Sequence, residues 1–251
     1  MNHKPVISIS IVSHQQGALV AALLSDIAAH CAIPLEIILT LNVPEPLAVD
    51  PGTYPFPVKI IRNTTPKGFG ANHNAVFANV NGRYFCVLNP DIRVDRDPFP
   101  VLTPALEEAG VVAPLVVGPE GLIEDSARRF PTPVDILKKF FKGPSGPDYA
   151  ITSDLVEPDW IAGMFMLWRA EVFRQLGGFD EGFFLYYEDV DICARLRQMG
   201  HRVLLIPAVR VTHHARRASH SNLRYLRWHA VSMMRYFCKA FVRHWFHKVK
   251  Y

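Results

Sequence analysis

Four short segments carry side chains whose type and spacing could do chemistry. Asn89-Pro90-Asp91 closes the apolar run Tyr84–Leu88. A carboxylate there can hold a hard divalent cation, Mg²⁺ or Mn²⁺, against a diphosphate; the same three residues also make an ordinary turn. Glu188-Asp189-Val190-Asp191 follows the aromatic run Phe183-Phe184-Leu185-Tyr186-Tyr187. Acids at a helix start complement its dipole, and Asp191 is spaced for an ion pair with Arg195 one turn on. Beside rings that can stack on a sugar, however, a partly buried carboxylate gains the basicity a general base needs. His213-His214 ends another apolar run. Adjacent strand residues point to opposite faces, so one of the two can join Asp91 around a metal. Lys67-Gly68-Phe69-Gly70-Ala71-Asn72 opens a helix. Glycines there admit a close ligand and unpaired N–H groups favour phosphate, although a plain loop-to-helix junction would read the same way.

These segments need a scaffold that turns them to one side. Strand and helix patterns alternate over the first hundred residues. Val6–Val12, Leu35–Leu41, Val58–Ile61 and Tyr84–Leu88 read as strands, and Gly17–Cys31 and Phe69–Ala78 as helices. That alternation predicts an α/β fold with a mostly parallel central sheet, whose ligands sit beyond the carboxyl ends of the strands. The residues at those ends are polar: Ser13-His14, Asn42, Arg62-Asn63 and Asn89-Pro90-Asp91. A helix over 97–108 and a strand at Val111–Val117 follow. Residues 128–154 read as a proline- and glycine-rich loop with one short amphipathic piece at Val134–Phe141. Order returns at Asp159–Arg169, with helices at Glu171–Leu176 and Asp189–Met199 and strands at Arg202–Ile206 and Val209–Thr212. A helical tail runs from Leu223 to Val249.

Of the 251 residues, 49% are hydrophobic and 20% charged, which excludes wholesale disorder. No run of eighteen apolar residues suggests a membrane span, and Val6–Val12 reads as a strand, not a signal peptide. The four cysteines, Cys31, Cys86, Cys193 and Cys238, have neither zinc-site nor disulfide-framework spacing and fit a reduced, cytoplasmic protein. Charge is strongly divided. Residues 192–251 hold thirteen Lys or Arg and no acid, so the other fourteen stand against all 23 acids before them. Such a tail seeks an acidic partner. In it Leu223, Leu226, Ala230, Met233, Phe237, Phe241, Trp245 and Val249 recur at spacings of three and four. That stripe either packs on the catalytic unit or lies in an anionic membrane surface; the tail is read as a membrane partner and not a nucleic-acid one.

Together these segments resemble glycosyltransferase family 2 over about residues 5–220. Asp159-Trp160-Ile161-Ala162-Gly163 and Phe184-Leu185-Tyr186-Tyr187-Glu188-Asp189-Val190-Asp191 are similar to the bacterial O-antigen rhamnosyltransferases, as is the tail's Arg227-Trp228-His229. The resemblance implies a GT-A-type catalytic domain at 1–220, with a nucleotide-sugar half (1–117) and an acceptor half (155–220), followed by a basic amphipathic helix at 221–251. It implies an inverting, metal-dependent transfer with Asp189 as base, next to Glu188, and a cation on Asp91 and His213. Asn89 replaces the first acid of the family's metal motif, leaving one carboxylate fewer. Ser13, His14, Asn42, Arg62, Asn63, Gly68, Phe69, Asn72 and Asn89 fall on the donor side, with Asn42 where an acid is usual. Trp160, Gly163, Tyr186 and Tyr187 fall on the acceptor side. The donor implied is dTDP-β-L-rhamnose, the acceptor a polyprenyl-diphosphate-linked saccharide at the inner face of the cytoplasmic membrane. Another nucleotide-diphosphate sugar is the nearest alternative; a nucleotidyltransferase and a non-catalytic carbohydrate-binding protein are the alternatives from other classes.

Overall fold

In the computed structural model the apolar runs that alternate with helical segments form one eight-stranded sheet. The strands are β1 (Ile7–Ser13), β2 (Leu35–Leu41), β3 (Val58–Arg62), β4 (Tyr84–Leu88), β5 (Ile92–Arg93), β6 (Val111–Val117), β9 (Phe165–Arg169) and β10 (Val203–His213), in the order β3-β2-β1-β4-β9-β6-β10-β5. A two-residue pair, β7 (Ala127–Arg128) and β8 (Trp160–Ile161), stands apart. The helices are α1 (Gly17–His30), α2 (Phe69–Phe77), α3 (Phe99–Ala105), α4 (Pro133–Lys142), α5 (Ala170–Gln175), α6 (Glu188–Gln198) and α7 (Leu223–Lys248). The structure describes residues 6–47, 49–80, 82–142, 146–149, 151, 155–214 and 223–248, with backbone alone at 138–140, 142 and 243–248.

β1 shows how the sheet is held. Ile7, Ile9 and Ile11 are fully buried on one face, in a cluster with α1 and α3. Ser8 and Ser10 point to the other face, where their hydroxyls are satisfied by Glu36 at 2.7 Å and by the His73 ring at 2.7 Å. Burial holds the His73 imidazole neutral, its pKa lowered to about 3. That second face packs against α2, α5 and α6 around Phe85, Trp168 and Phe173, all fully buried.

β1, β2, β3 and β4 run parallel, as do β6 and β10; β9 is antiparallel between β4 and β6. Strands from the two segments 1–117 and 155–220 therefore interleave in one sheet. Several elements differ from the sequence reading. The two strands expected at Arg202–Ile206 and Val209–Thr212 are one strand, bulged between Ile206 and Arg210 around Pro207, which has no N–H for the ladder. The helix expected over 97–108 is only Phe99–Ala105. In the proline-rich 128–154 segment α4 covers the expected amphipathic piece at Val134–Phe141, and the difference is at its start, which lies in β7.

Candidate active site

The strand ends converge as the sheet type requires, and the carboxylates meet their partners through pairings distant in sequence. After β4 the Asn89-Pro90-Asp91 turn sends the chain into β5, which pairs antiparallel with the end of β10, Ile92 opposite His213. His214 N–H donates to the Asp91 carbonyl at 2.8 Å. His213 Nε2 then lies 3.3 Å from Asp91 Oδ2, while His214 is exposed. Burial disfavours charge on the His213 ring, but the bond to Asp91, and then Glu124, push its pKa up to about 9. Asp91 Oδ1 is buried with no hydrogen-bond partner. An orphaned carboxylate oxygen beside an imidazole nitrogen suits a hard divalent cation. Among the described residues no third His, Cys, Asp or Glu completes a protein cage. That matches a cation bound by one or two protein groups with diphosphate and water supplying the rest.

The second centre lies at the start of α6. Tyr186 and Tyr187 both adopt the left-handed conformation, with φ of 71° and 66°. This costs about 1–3 kcal/mol at each residue and persists only where the surroundings impose it. Here α7 imposes it. Tyr187 packs on Tyr236 and His229 at 5.5 and 5.4 Å between ring centroids, Tyr186 packs on His229, and Ser232 Oγ donates to the Leu185 carbonyl at 2.8 Å. Below this turn Asp180 accepts from Arg235 and from Lys239, and Lys239 also meets Asp191 at 2.8 Å. Burial alone would raise the Asp180 pKa, but Lys239, the Gly182 N–H and Arg235 hold the carboxyl well below the usual range. Asp191 takes Arg195 at 2.8 Å, the structural role its spacing suggested.

The strained turn delivers two adjacent acids to different environments. Glu188 is almost fully buried, and its Oε2 has no partner. Burial, reinforced by the charge of Asp189, raises its pKa well above the usual range, which favours its protonated form. Asp189 is half-buried. Its Oδ2 accepts the Gly163 N–H at 3.1 Å and its Oδ1 the Val190 N–H at 2.8 Å. Burial raises its pKa too, while those N–H groups favour its charge. Burial therefore weighs most on the charge of Glu188, while Asp189 is the more open of the two and the one whose charge two backbone N–H groups favour. The two centres share one segment: Asn89 N–H donates to the Met164 carbonyl, and the neighbouring Gly163 N–H donates to Asp189.

The donor-side residues are tied into the fold. Asn63 Nδ2 donates to Asn42 Oδ1 and to Asn72 Oδ1, at 2.9 and 2.7 Å, and Asn42 and Asn72 donate to the Lys67 carbonyl. Arg62 and His14 are exposed at the same edge. The reading of the glycines is corrected. A Cβ at Gly68 would lie 2.7 Å from the Phe184 carbonyl oxygen, and the Phe69 N–H donates to that oxygen at 2.9 Å. A Cβ at Gly70 would meet Phe179 at 2.5 Å. These glycines admit the 179–184 chain, and the Phe69 N–H is not free for phosphate. The aromatic run likewise divides. Phe183 and Tyr187 are buried under α7, Phe184 stacks on Trp228 at 4.7 Å, and Tyr186 is half-buried. Trp160 donates through Nε1 to the Arg129 carbonyl at 2.9 Å.

Two acids escaped the sequence reading. Glu45 accepts from Ser13 Oγ at 2.9 Å and from the Gln15 N–H at 3.1 Å, so the edge expected to meet the donor has a carboxylate, displaced from Asn42. An acid four residues beyond the strand end, between two prolines, was the available signal. Glu124 touches His213, and nothing in its local sequence marks it.

The glycosyltransferase-like family 2 model matches residues 5–230. Rhamnosyltransferase WbbL of Escherichia coli is 33% identical over 187 residues, covering 68% of this chain and 70% of that protein. The N-acetylglucosaminyl-diphospho-decaprenol L-rhamnosyltransferase of Mycobacterium tuberculosis is 25% identical over 233 residues, covering 83% and 76%. Among solved structures, GalNAc-T7 with UDP, GalNAc and Mn²⁺ superposes with a TM-score of 0.65 at 17% identity, over 86% of this chain and 45% of that one. The mannosyltransferase PcManGT of Pyrobaculum calidifontis, with GDP-Man and Mn²⁺, gives 0.61 at 17%, over 86% and 59%. The chain thus spans less than two thirds of either solved structure. With the family matched from β1 into α7, and a sheet that carries Asp91 just beyond β4, the chain belongs to glycosyltransferase family 2 and is a glycosyltransferase of the GT-A fold.

Proposed function

We propose that the enzyme moves L-rhamnose from dTDP-β-L-rhamnose, with inversion, to a polyprenyl-diphosphate-linked saccharide in O-antigen or other cell-surface polysaccharide synthesis. Asp189 carries the reading: a half-buried carboxylate of raised basicity, fixed by two backbone N–H groups beside the buried Glu188. It accepts the proton of the acceptor hydroxyl as that oxygen bonds to the anomeric carbon. The carbon–diphosphate bond breaks at the opposite face. The diphosphate is a stable anion, so one base suffices where an inverting glycosidase needs a second carboxyl as acid. Asp91 and His213 are the residues that would hold Mg²⁺ or Mn²⁺. A cation bound there neutralises charge on the leaving diphosphate. Donor and acceptor classes are supported by the names of the two rhamnosyltransferase relatives, one of which acts on a decaprenol-linked sugar. A panel of nucleotide sugars, scored for nucleoside diphosphate release, tests the donor. dTDP-rhamnose should be turned over fastest, and preference for a UDP-hexose would overturn the assignment.

The acceptor's lipid asks for a surface, and α7 supports one. The helix turns Tyr225, Trp228, Ser232, Tyr236 and Lys239 inward, so the packing face is not the apolar stripe. Of that stripe, Leu223, Leu226 and Phe241 are 82%, 66% and 68% exposed, while Met233 and Phe237 lie at the margin of the contact. The Trp245 side chain and Val249 lie outside the described residues. No helix among the described residues is long and apolar enough to cross a membrane. The outward stripe, with Arg227 exposed beside it and no acid in the tail, fits the cytoplasmic face of an anionic bilayer. Each cation near such a surface is worth about 1 kcal/mol, so binding should weaken as salt rises. In vesicle co-sedimentation the protein should bind acidic vesicles over neutral ones, and Leu223→Asp with Leu226→Asp should release it. Equal binding to both vesicle types would sink the docking model.

A further inference from the structure

Glu124 lies between β6 and β7. The structure gives that segment definite form. Past β6 the chain turns back on itself: Gly118 N–H donates to the Leu122 carbonyl at 2.8 Å, and Glu124 N–H donates to the Val116 carbonyl at 2.9 Å. Val117 and Ile123 form an antiparallel bridge. Because β6 is the direct neighbour of β10, this turn lays Glu124 over the end of β10. Its Oε2 sits 2.6 Å from His213 Nδ1, on the opposite side of the ring from Asp91. The chain beyond Glu124 is anchored as well. The Ser126 carbonyl accepts the Ala162 N–H at 2.8 Å, and β7 pairs with β8. The Glu124 backbone is thus held on both sides, and its carboxylate reaches His213 from a fixed platform.

An imidazole can give a lone pair to a cation from only one nitrogen when the other carries the proton. A carboxylate hydrogen-bonded to one N–H settles which nitrogen that is and in what plane the ring lies. We propose that Glu124 is a positioning residue: it holds the Nδ1 proton of His213, so that when a divalent cation displaces the Nε2 proton to solvent, the lone pair left on Nε2 faces the cation and Asp91. The inference rests on the cation reading of Asp91 and His213 given above, and goes beyond it by assigning the group that makes His213 a competent ligand.

Mn²⁺ affinity, read by electron paramagnetic resonance at saturating dTDP and, in parallel, UDP, tests it without any turnover. Glu124→Ala should weaken Mn²⁺ binding about 10–100-fold, the usual effect of losing an outer carboxylate. Glu124→Gln keeps an oxygen that can accept from Nδ1–H and should lose less. In a His213→Ala background, Glu124→Ala should cost nothing further, because it acts only through the ring. Thermal unfolding of each variant checks that the fold survives, and the glutamine variant serves if the alanine one does not fold. Wild-type-like Mn²⁺ affinity in folded Glu124 variants, or an equal loss in the His213→Ala background, would overturn the assignment. Absence of Mn²⁺ binding by the wild type with either diphosphate is a different result. It would sink the cation reading of Asp91 and His213, and this inference with it.

Discussion

Asp189→Asn is expected to reduce transfer by at least a hundredfold while leaving donor binding nearly intact. The substitution keeps side-chain volume and one oxygen for the Gly163 N–H, so the 162–164 segment stays in place. What it removes is the ability to take a proton, which general-base catalysis typically values at 10²–10⁴-fold. The pH profile adds an independent signature. A base works only when deprotonated, so the wild-type rate should fall about tenfold per pH unit below the pKa of Asp189. Burial raises that pKa above the ordinary aspartate value of 3.8, so the acid limb should begin at higher pH than an exposed aspartate would give. The residual rate of the asparagine variant should lack that limb. Retention of more than about a tenth of the wild-type rate, with the limb intact, would remove Asp189 from the role of base. Glu188→Gln separates the neighbours: burial disfavours charge on Glu188, so a neutral isostere there should leave the acid limb where it was.

Chelation should abolish activity, and Mg²⁺ or Mn²⁺ should restore it. Asp91→Ala should then lower both donor affinity and rate, together by about a hundredfold or more, since charge stabilisation by a cation is worth several kcal/mol. The structural ground is the Asp91 carboxylate. One oxygen faces His213 and the other is buried without a partner, an arrangement that leaves a polar group unsatisfied until something cationic reaches it. With Asn89 in place of a first acid, Asp91 has no carboxylate neighbour in its own turn to fall back on. Full activity in chelator would rule out the metal-dependent mechanism. Activity that survives Asp91→Ala but still needs the cation would move the site elsewhere.

The chain's local patterns carry much of this protein. Apolar runs that end in polar residues determine a sheet with its site at the strand ends. Asn89-Pro90-Asp91 and Glu188-Asp189 are legible because each sits within a few residues of the element that positions it, and the Asp191–Arg195 pair because both lie on one helical face. Tertiary structure decided what depends on neighbours distant in sequence. His213 rather than His214 meets Asp91 because the register of β5 against β10 puts Ile92 opposite His213, and register is not written in either segment alone. Gly68 and Gly70 are glycines because the 179–184 chain crosses them, although locally they look like a phosphate loop. Glu45 and Glu124 gain their roles only when loops fold back over β1 and β10. The tail shows the limit most clearly. Periodicity located an apolar face but could not say what the catalytic unit would offer it. That unit offers acids, a carbonyl and rings, at Asp180, Asp191, Leu185 and Tyr187. It therefore takes the polar and aromatic side of α7 and leaves Leu223, Leu226 and Phe241 facing out, because a helix docks by the face complementary to its partner and not by the one most averse to water.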